Sequence, residues 1–121
     1  CCSMELDFIH VSCWDIEKTG LHCGTQRSYT TVFREYMPAT LPLITTGGIW
    51  TKQQARKGIR QGAEFIGVAR AGIAHPTWPS SLQEGAEEPA LPPFSAEWLE
   101  SVALSGTFIE YMRRWEGFVL N

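Results

Sequence analysis

Residues 41–72 read LPLITTGGIWTKQQARKGIRQGAEFIGVARAG, and their punctuation decides the fold. Residues 41–46 are short, apolar and β-branched, which predicts a strand, with Pro42 tolerated near its start. Gly47 and Gly48 break that strand. Thr51 and Gln54 stand three apart, the spacing of a capping box, so a helix is predicted from Thr51 to about Gln61. Gly62 suits the left-handed position just past a helix end. Residues 64–69, EFIGVA, then predict a second strand. A strand, a helix of about ten residues and another strand make a crossover between parallel neighbours.

Working outward, the same rhythm extends toward the N-terminus. Residues 6–12 (LDFIHVS) predict one more strand, followed by a polar, Gly-containing loop over residues 13–24. Tyr29, Val32, Phe33, Tyr36 and Met37 recur at helical spacing, so residues 25–37 predict a helix that Pro38 ends. The order is therefore β-α-β-α-β. Beyond it, residues 70–75 predict one short helical turn before Pro76. Residues 95–104 predict a helix with Ser95 as its N-cap. Thr107 and Glu110 predict a capping box opening a last helix that runs to about Trp115. The apolar residues of this C-terminal part, among them Trp98, Leu99, Phe108, Ile109, Met112 and Trp115, are most simply core.

Composition limits the function. The 121 residues are 44% hydrophobic and 19% charged, enough for one ordinary domain and against disorder over the whole chain. Net charge is −3, without the basic excess of a nucleic-acid binder. No apolar run approaches the roughly 18 residues of a membrane helix. The four cysteines lack CxxC spacing, and Cys1 and Cys2 are adjacent, so reduced thiols in a cytoplasmic protein are expected. The chain begins without a methionine, the form of a piece of something longer. Charge is unevenly spread. Lys52, Arg56, Lys57, Arg60 and Arg70 face one acid, Glu64, over residues 52–70. Residues 71–112 hold no Lys or Arg but six Glu, and Pro89, Pro92 and Pro93 mark a loop there.

The chemistry is expected at two strand ends. A glycine pair directly after a parallel strand turns the backbone tightly and offers N–H groups to an anion, next to a helix N-terminus. Arg70 follows the next strand, where a guanidinium can pair bidentately with a phosphate. Together Gly47, Gly48, Ala69 and Arg70 predict an anion site at adjacent strand ends, the arrangement found after the last two strands of a (β/α)8 barrel. His10, inside the first strand, reads as a core histidine with a hydrogen-bond partner. Ser12, Cys13 and Trp14 fall at the mouth of the site, and the loop with His22 and Cys23 is placed to cover it. His10, Cys13, His22 and Cys23 are too irregularly spaced to predict a zinc site. There is no G-x-S-x-G elbow, and no Walker lysine follows Gly48.

The stretch LPLITTGGIWTKQQARKGIRQGAEFIGVARAGIAHPTW resembles the closing part of the NADH:flavin oxidoreductase, or old yellow enzyme, family, and DFIHVS resembles that family's sixth strand. The resemblance covers about residues 4–79. It departs at Ala69, where the family usually has Gly, but a backbone N–H survives that change. The resemblance implies the last three βα units of a (β/α)8 TIM barrel, with parallel strands and outer helices, plus C-terminal helices. Residues 1–79 would then belong to the barrel, residues 80–94 to an acidic Pro-containing loop and residues 95–121 to a helical extension. It also implies FMN as cofactor, with Gly47, Gly48, Ala69 and Arg70 at its phosphate. NADH or NADPH would be the reductant and a small-molecule electron acceptor, such as an activated alkene, the substrate. The family's proton donors lie on earlier strands that this chain has no room for, so the chain alone is expected to be inactive. Some members send a C-terminal arginine into a neighbouring subunit, which nominates Arg113 and a homo-oligomer. Another phosphate-binding barrel enzyme, or a non-catalytic half-barrel that binds phosphate, stays open as an alternative.

Overall fold

The computed structural model describes residues 5–120, so Cys1 and Cys2 lie outside the described residues. These residues form a mixed α/β structure in two compact units, Cys1–Ala69 and Arg70–Asn121. No helix among the described residues is long and apolar enough to cross a membrane.

The first unit holds a three-stranded sheet and a hairpin. The hairpin is β2 (Thr19–His22) with β3 (Thr25–Ser28), and the sheet strands are β1 (Ile9–Ser12), β4 (Leu43–Thr46) and β5 (Phe65–Gly67). The sheet order is β1-β4-β5, parallel throughout. Strand-to-strand passage is made by helix α1 (Tyr29–Tyr36) and helix α2 (Lys52–Arg60). Both helices pack on the same sheet face. From α1, the buried Thr30 hydroxyl bonds the Thr45 hydroxyl at 2.7 Å. On α2, a Cβ built at Gly58 would stand 2.6 Å from Ile66 Cδ1 and 3.0 Å from Thr45 Cγ2, so the helix sits close against the sheet there. A sheet whose strands follow in sequence, with every crossover on one face, is singly wound. Period-two alternation then divides the strands. Val11, Leu43 and Thr45 are buried on the helix side, with Ala63, Ile9 and Met37 completing that core. His10 and Ser12 project to the other face and are exposed, as are Phe8 and Phe65, at 54% and 57%.

Local chemistry explains the element ends. Thr51 caps α2 with a complete capping box, its side chain accepting from Gln54 N–H while Gln54 Oε1 accepts from the Thr51 N–H at 3.1 Å. Gly62 follows the helix at φ +107, and a Cβ there would strike the Arg34 side chain at 2.6 Å. Arg34 reaches Glu64 at 3.2 Å, and Glu64 in turn accepts from the Leu43 N–H at 2.8 Å, tying α1 to the paired starts of β4 and β5.

The helix expected over residues 25–37 begins only at Tyr29. Ser28 is its N-cap, accepting from the Thr31 N–H at 3.2 Å. Residues Thr25–Ser28 instead pair antiparallel with Thr19–His22, so part of the expected loop is a hairpin. Its two-residue turn is Cys23-Gly24, with φ of 48 and 78. Positive φ at both central positions matches the right-handed twist of the strands, and Gly24 makes it accessible. Arg27 and Glu35 form a bidentate pair linking β3 to α1, and the guanidinium holds the Glu35 carboxyl below the usual carboxylate range.

The second unit contains helix α3 (Arg70–Ala74), a 3-10 turn (Trp78–Leu82), helix α4 (Ala96–Ser101) and helix α5 (Gly106–Met112). Its buried side chains include Trp78, Phe94, Leu99, Ile109, Met112 and Phe118. Phe94 and Phe118 meet edge-to-face at 5.5 Å, and a short parallel bridge joins Phe94 to Val119. Ser95 caps α4 as expected, accepting from Trp98 N–H at 3.1 Å. That helix ends at Ser101, three residues early, because Ala103 takes a left-handed φ of 69. The last helix is capped by Ser105, not Thr107: the Ser105 hydroxyl accepts from Phe108 N–H at 3.2 Å, and the helix stops at Met112. The expected core is only partly buried, since Trp98 is 43% and Phe108 39% exposed.

Candidate functional site

The C-terminal ends of β1 and β4 form one continuous piece of geometry in the first unit. The Thr46 carbonyl accepts from Cys13 N–H at 2.9 Å and from the Cys13 thiol at 3.2 Å. The Gly47 carbonyl accepts from Ile16 N–H at 3.0 Å. The segment after β1 therefore runs along the Gly47 turn and is tied to it. This closeness dictates the first glycine: a Cβ at Gly47 would stand 2.4 Å from the Cys13 carbonyl oxygen. Gly48 sits at φ +59, in the left-handed region, and a Cβ there would meet nothing nearer than 3.5 Å. Gly47 thus answers to packing and, at φ +156, to backbone conformation as well, while Gly48 answers to backbone conformation.

The neighbouring helix end is less available than the sequence implies. Gln54 Oε1 accepts from Trp50 N–H at 2.8 Å as well as from Thr51 N–H, and the Thr51 hydroxyl takes the Gln54 N–H. The capping box thus uses three of the donors that would otherwise face an anion. The other nominated residues of the anion site follow β5. There, Gly67 ends the strand opposite Thr46, Ala69 closes the first unit, and Arg70 is the first residue of α3.

Other nominated residues have definite places. Ser12 lies in register with Thr46 at the end of β1 and is exposed. Trp14 is 72% exposed. His10 is not a core histidine: it stands on the uncovered sheet face, although it has the expected partner, with Nε2 2.7 Å from the Thr46 hydroxyl. His22 bonds the Tyr36 hydroxyl at 3.1 Å, on the hairpin. Cys13 is part-buried, and burial, with Asp15 adding to it, pushes its thiol above the usual value. A neutral thiol donating to a carbonyl is a structural group, not an activated nucleophile. In the second unit, Arg113 donates from Nε to Glu110 at 2.9 Å and from its guanidinium to the Leu120 carbonyl at 2.7 Å.

Two residues of these strand ends, Thr46 and Gly67, lie within the stretches read from the sequence but were given no role there. A Cβ at Gly67 would stand 1.9 Å from Thr46 Oγ1, so the Thr46 side chain occupies the space a larger residue would need. A glycine inside a strand is the signal of such close approach.

Known proteins can be set beside this geometry. The chain is 29% identical over 91 residues to an uncharacterized oxidoreductase of Streptococcus pyogenes serotype M5, covering 69% of this chain and 22% of that protein. It is 27% identical over 85 residues to a probable NADH-dependent flavin oxidoreductase of Bacillus subtilis, covering 69% of this chain and 23% of that protein. The chain thus spans under a quarter of the length of the curated relatives it matches. No family model and no solved structure matches it. The similarity is to proteins named as oxidoreductases, and in one case as a flavin oxidoreductase using NADH.

Proposed function

We propose that this chain is the closing part of a flavin-dependent oxidoreductase barrel of the old yellow enzyme type and supplies the grip on the FMN phosphate. The observation that carries the proposal is the singly wound β1-β4-β5 sheet, with a glycine turn at the end of its central strand packed against the segment after β1. Its uncovered face supports the reading. All-parallel sheets bury both faces, yet Phe8 and Phe65 stand exposed here, as residues would that line a barrel interior. The two flavin and oxidoreductase relatives point the same way.

In this reading the backbone at Gly47, Gly48 and Ala69 donates to the phosphate oxygens, and Arg70, next along the chain, adds a charge-assisted pair. When bound, FMN supplies the redox chemistry, taking hydride from NADH or NADPH and passing it to an acceptor such as an activated alkene. The chain's residues bind one end of the cofactor, and such affinity does not accelerate the chemical step by itself. Turnover by this chain alone is therefore no faster than that of free FMN. Homo-oligomerisation through Arg113, and a cytoplasmic setting, belong to the same proposal. The test is the absorption spectrum of the purified chain, with release of its ligand on denaturation. Flavin bands and free FMN in the supernatant are expected, and a colourless chain that takes up no FMN refutes the proposal.

A further inference from the structure

The side chains of three strands interlock on the uncovered sheet face. His10 on β1 bonds Thr46 on β4 at 2.7 Å, and the Thr46 side chain rests in the gap left by Gly67 on β5. The backbone of Thr46 is fixed as firmly as its side chain, because the carbonyl takes two donors from Cys13. Thr46 directly precedes Gly47, so whatever sets its rotamer and peptide plane also sets the start of the glycine turn. Thr46 projects away from the helices, to the face that carries His10. His10 is exposed and contributes nothing to the core formed by Val11, Leu43 and Ala63. A histidine there with one precise bond has no packing reason to be histidine.

We propose that His10 is a positioning residue for the anion site: acting through Thr46, it fixes the orientation of the Gly47-Gly48 turn and so the aim of that turn's N–H groups at a phosphate. The inference rests on the phosphate site proposed above. His10 itself touches no phosphate, and its effect is carried by a single hydroxyl. Gly67 is the third member, because any side chain there displaces Thr46 from its place.

The test is a titration of the whole chain with FMN, alongside His10→Ala, Thr46→Val, Thr46→Ser and the double variant His10→Ala/Thr46→Val. Losing one hydrogen bond of this kind is expected to weaken FMN binding roughly 3- to 10-fold in His10→Ala and in Thr46→Val. Thr46→Ser keeps the hydroxyl and binds within about twofold of the parent. The double variant binds no more weakly than Thr46→Val, since both changes remove one link. A merely structural histidine would lower the melting temperature without this non-additivity or the serine rescue. Two results overturn the inference while leaving the phosphate site standing: His10→Ala binding as tightly as the parent, or losses that add in the double variant. A parent chain that binds no FMN overturns both.

Discussion

Gly47 is glycine because the Cys13 carbonyl lies where its Cβ would be, and Gly48 because its φ is left-handed. The sequence shows the pair and its place after a strand. It does not show the close approach at Gly47, because Cys13 is 34 residues away along the chain. Arg70 carries the sharpest prediction at this scale. Arg70→Ala is expected to weaken FMN or phosphate binding by about 1.5–3 kcal/mol, the worth of a charge-assisted hydrogen bond. Lys57→Ala is expected to change little, since Lys57 pairs with Glu17 on an exposed surface at 3.1 Å. Calorimetric titration of both variants checks this, and equal losses would mean diffuse charge attraction. Cys13 gives a second prediction. Its raised thiol pKa keeps it protonated at neutral pH, and the thiolate forms only as pH climbs past the ordinary thiol range. Alkylation followed by peptide mass mapping should label the exposed Cys23 well before Cys13 at neutral pH, with Cys13 catching up in alkali. Simultaneous labelling would show that the Thr46 carbonyl does not hold the thiol.

The elements whose ends carry a local signal were legible, and those defined by partners were not. Thr51, Gln54 and Gly62 announce both ends of α2, and the structure shows each working as its type requires. Ser28, Ser95 and Ser105 are equally effective caps, but only Ser95 stood out, because serine precedes many segments that never become helices. The hairpin of β2 and β3 was hidden because Thr25–Ser28 precedes an amphipathic pattern without a break. Its pairing with Thr19–His22 depends on the Cys23-Gly24 turn, and cysteine is not a usual residue at positive φ. His10 was misplaced for a related reason: a short apolar strand does not say which of its faces will be covered. The cap of α2 offers the element-scale test. Thr51→Ala removes the acceptor for Gln54 N–H and is expected to cost about 1 kcal/mol, read as a lowered unfolding midpoint. An unchanged midpoint would mean that packing of Ala55 and Gly58 alone holds the helix.

Sheet order and helix placement decide how the whole molecule behaves. The three-stranded sheet has β1 and β5 as open edges and an apolar face bearing Phe8 and Phe65 in water. Open strand edges and an uncovered face favour association. The chain by itself is expected to sediment as oligomers or aggregates, and a stable monomer that unfolds sharply and reversibly would argue against its being part of a barrel. The parallel order was readable from the alternation of strands and helices, because crossovers have one preferred hand. The uncovered face was not, because the alternation of a short strand does not say which of its two faces the helices will cover. The central claim is that this chain grips a flavin by its phosphate, and comparing FMN with riboflavin tests it most directly, since the two differ only in that group. Titrated into the purified chain, FMN is expected to bind, to be displaced by inorganic phosphate, and to bind more weakly in Arg70→Ala, while riboflavin shows no binding. Equal binding of the two flavins, or binding of neither, would contradict the account.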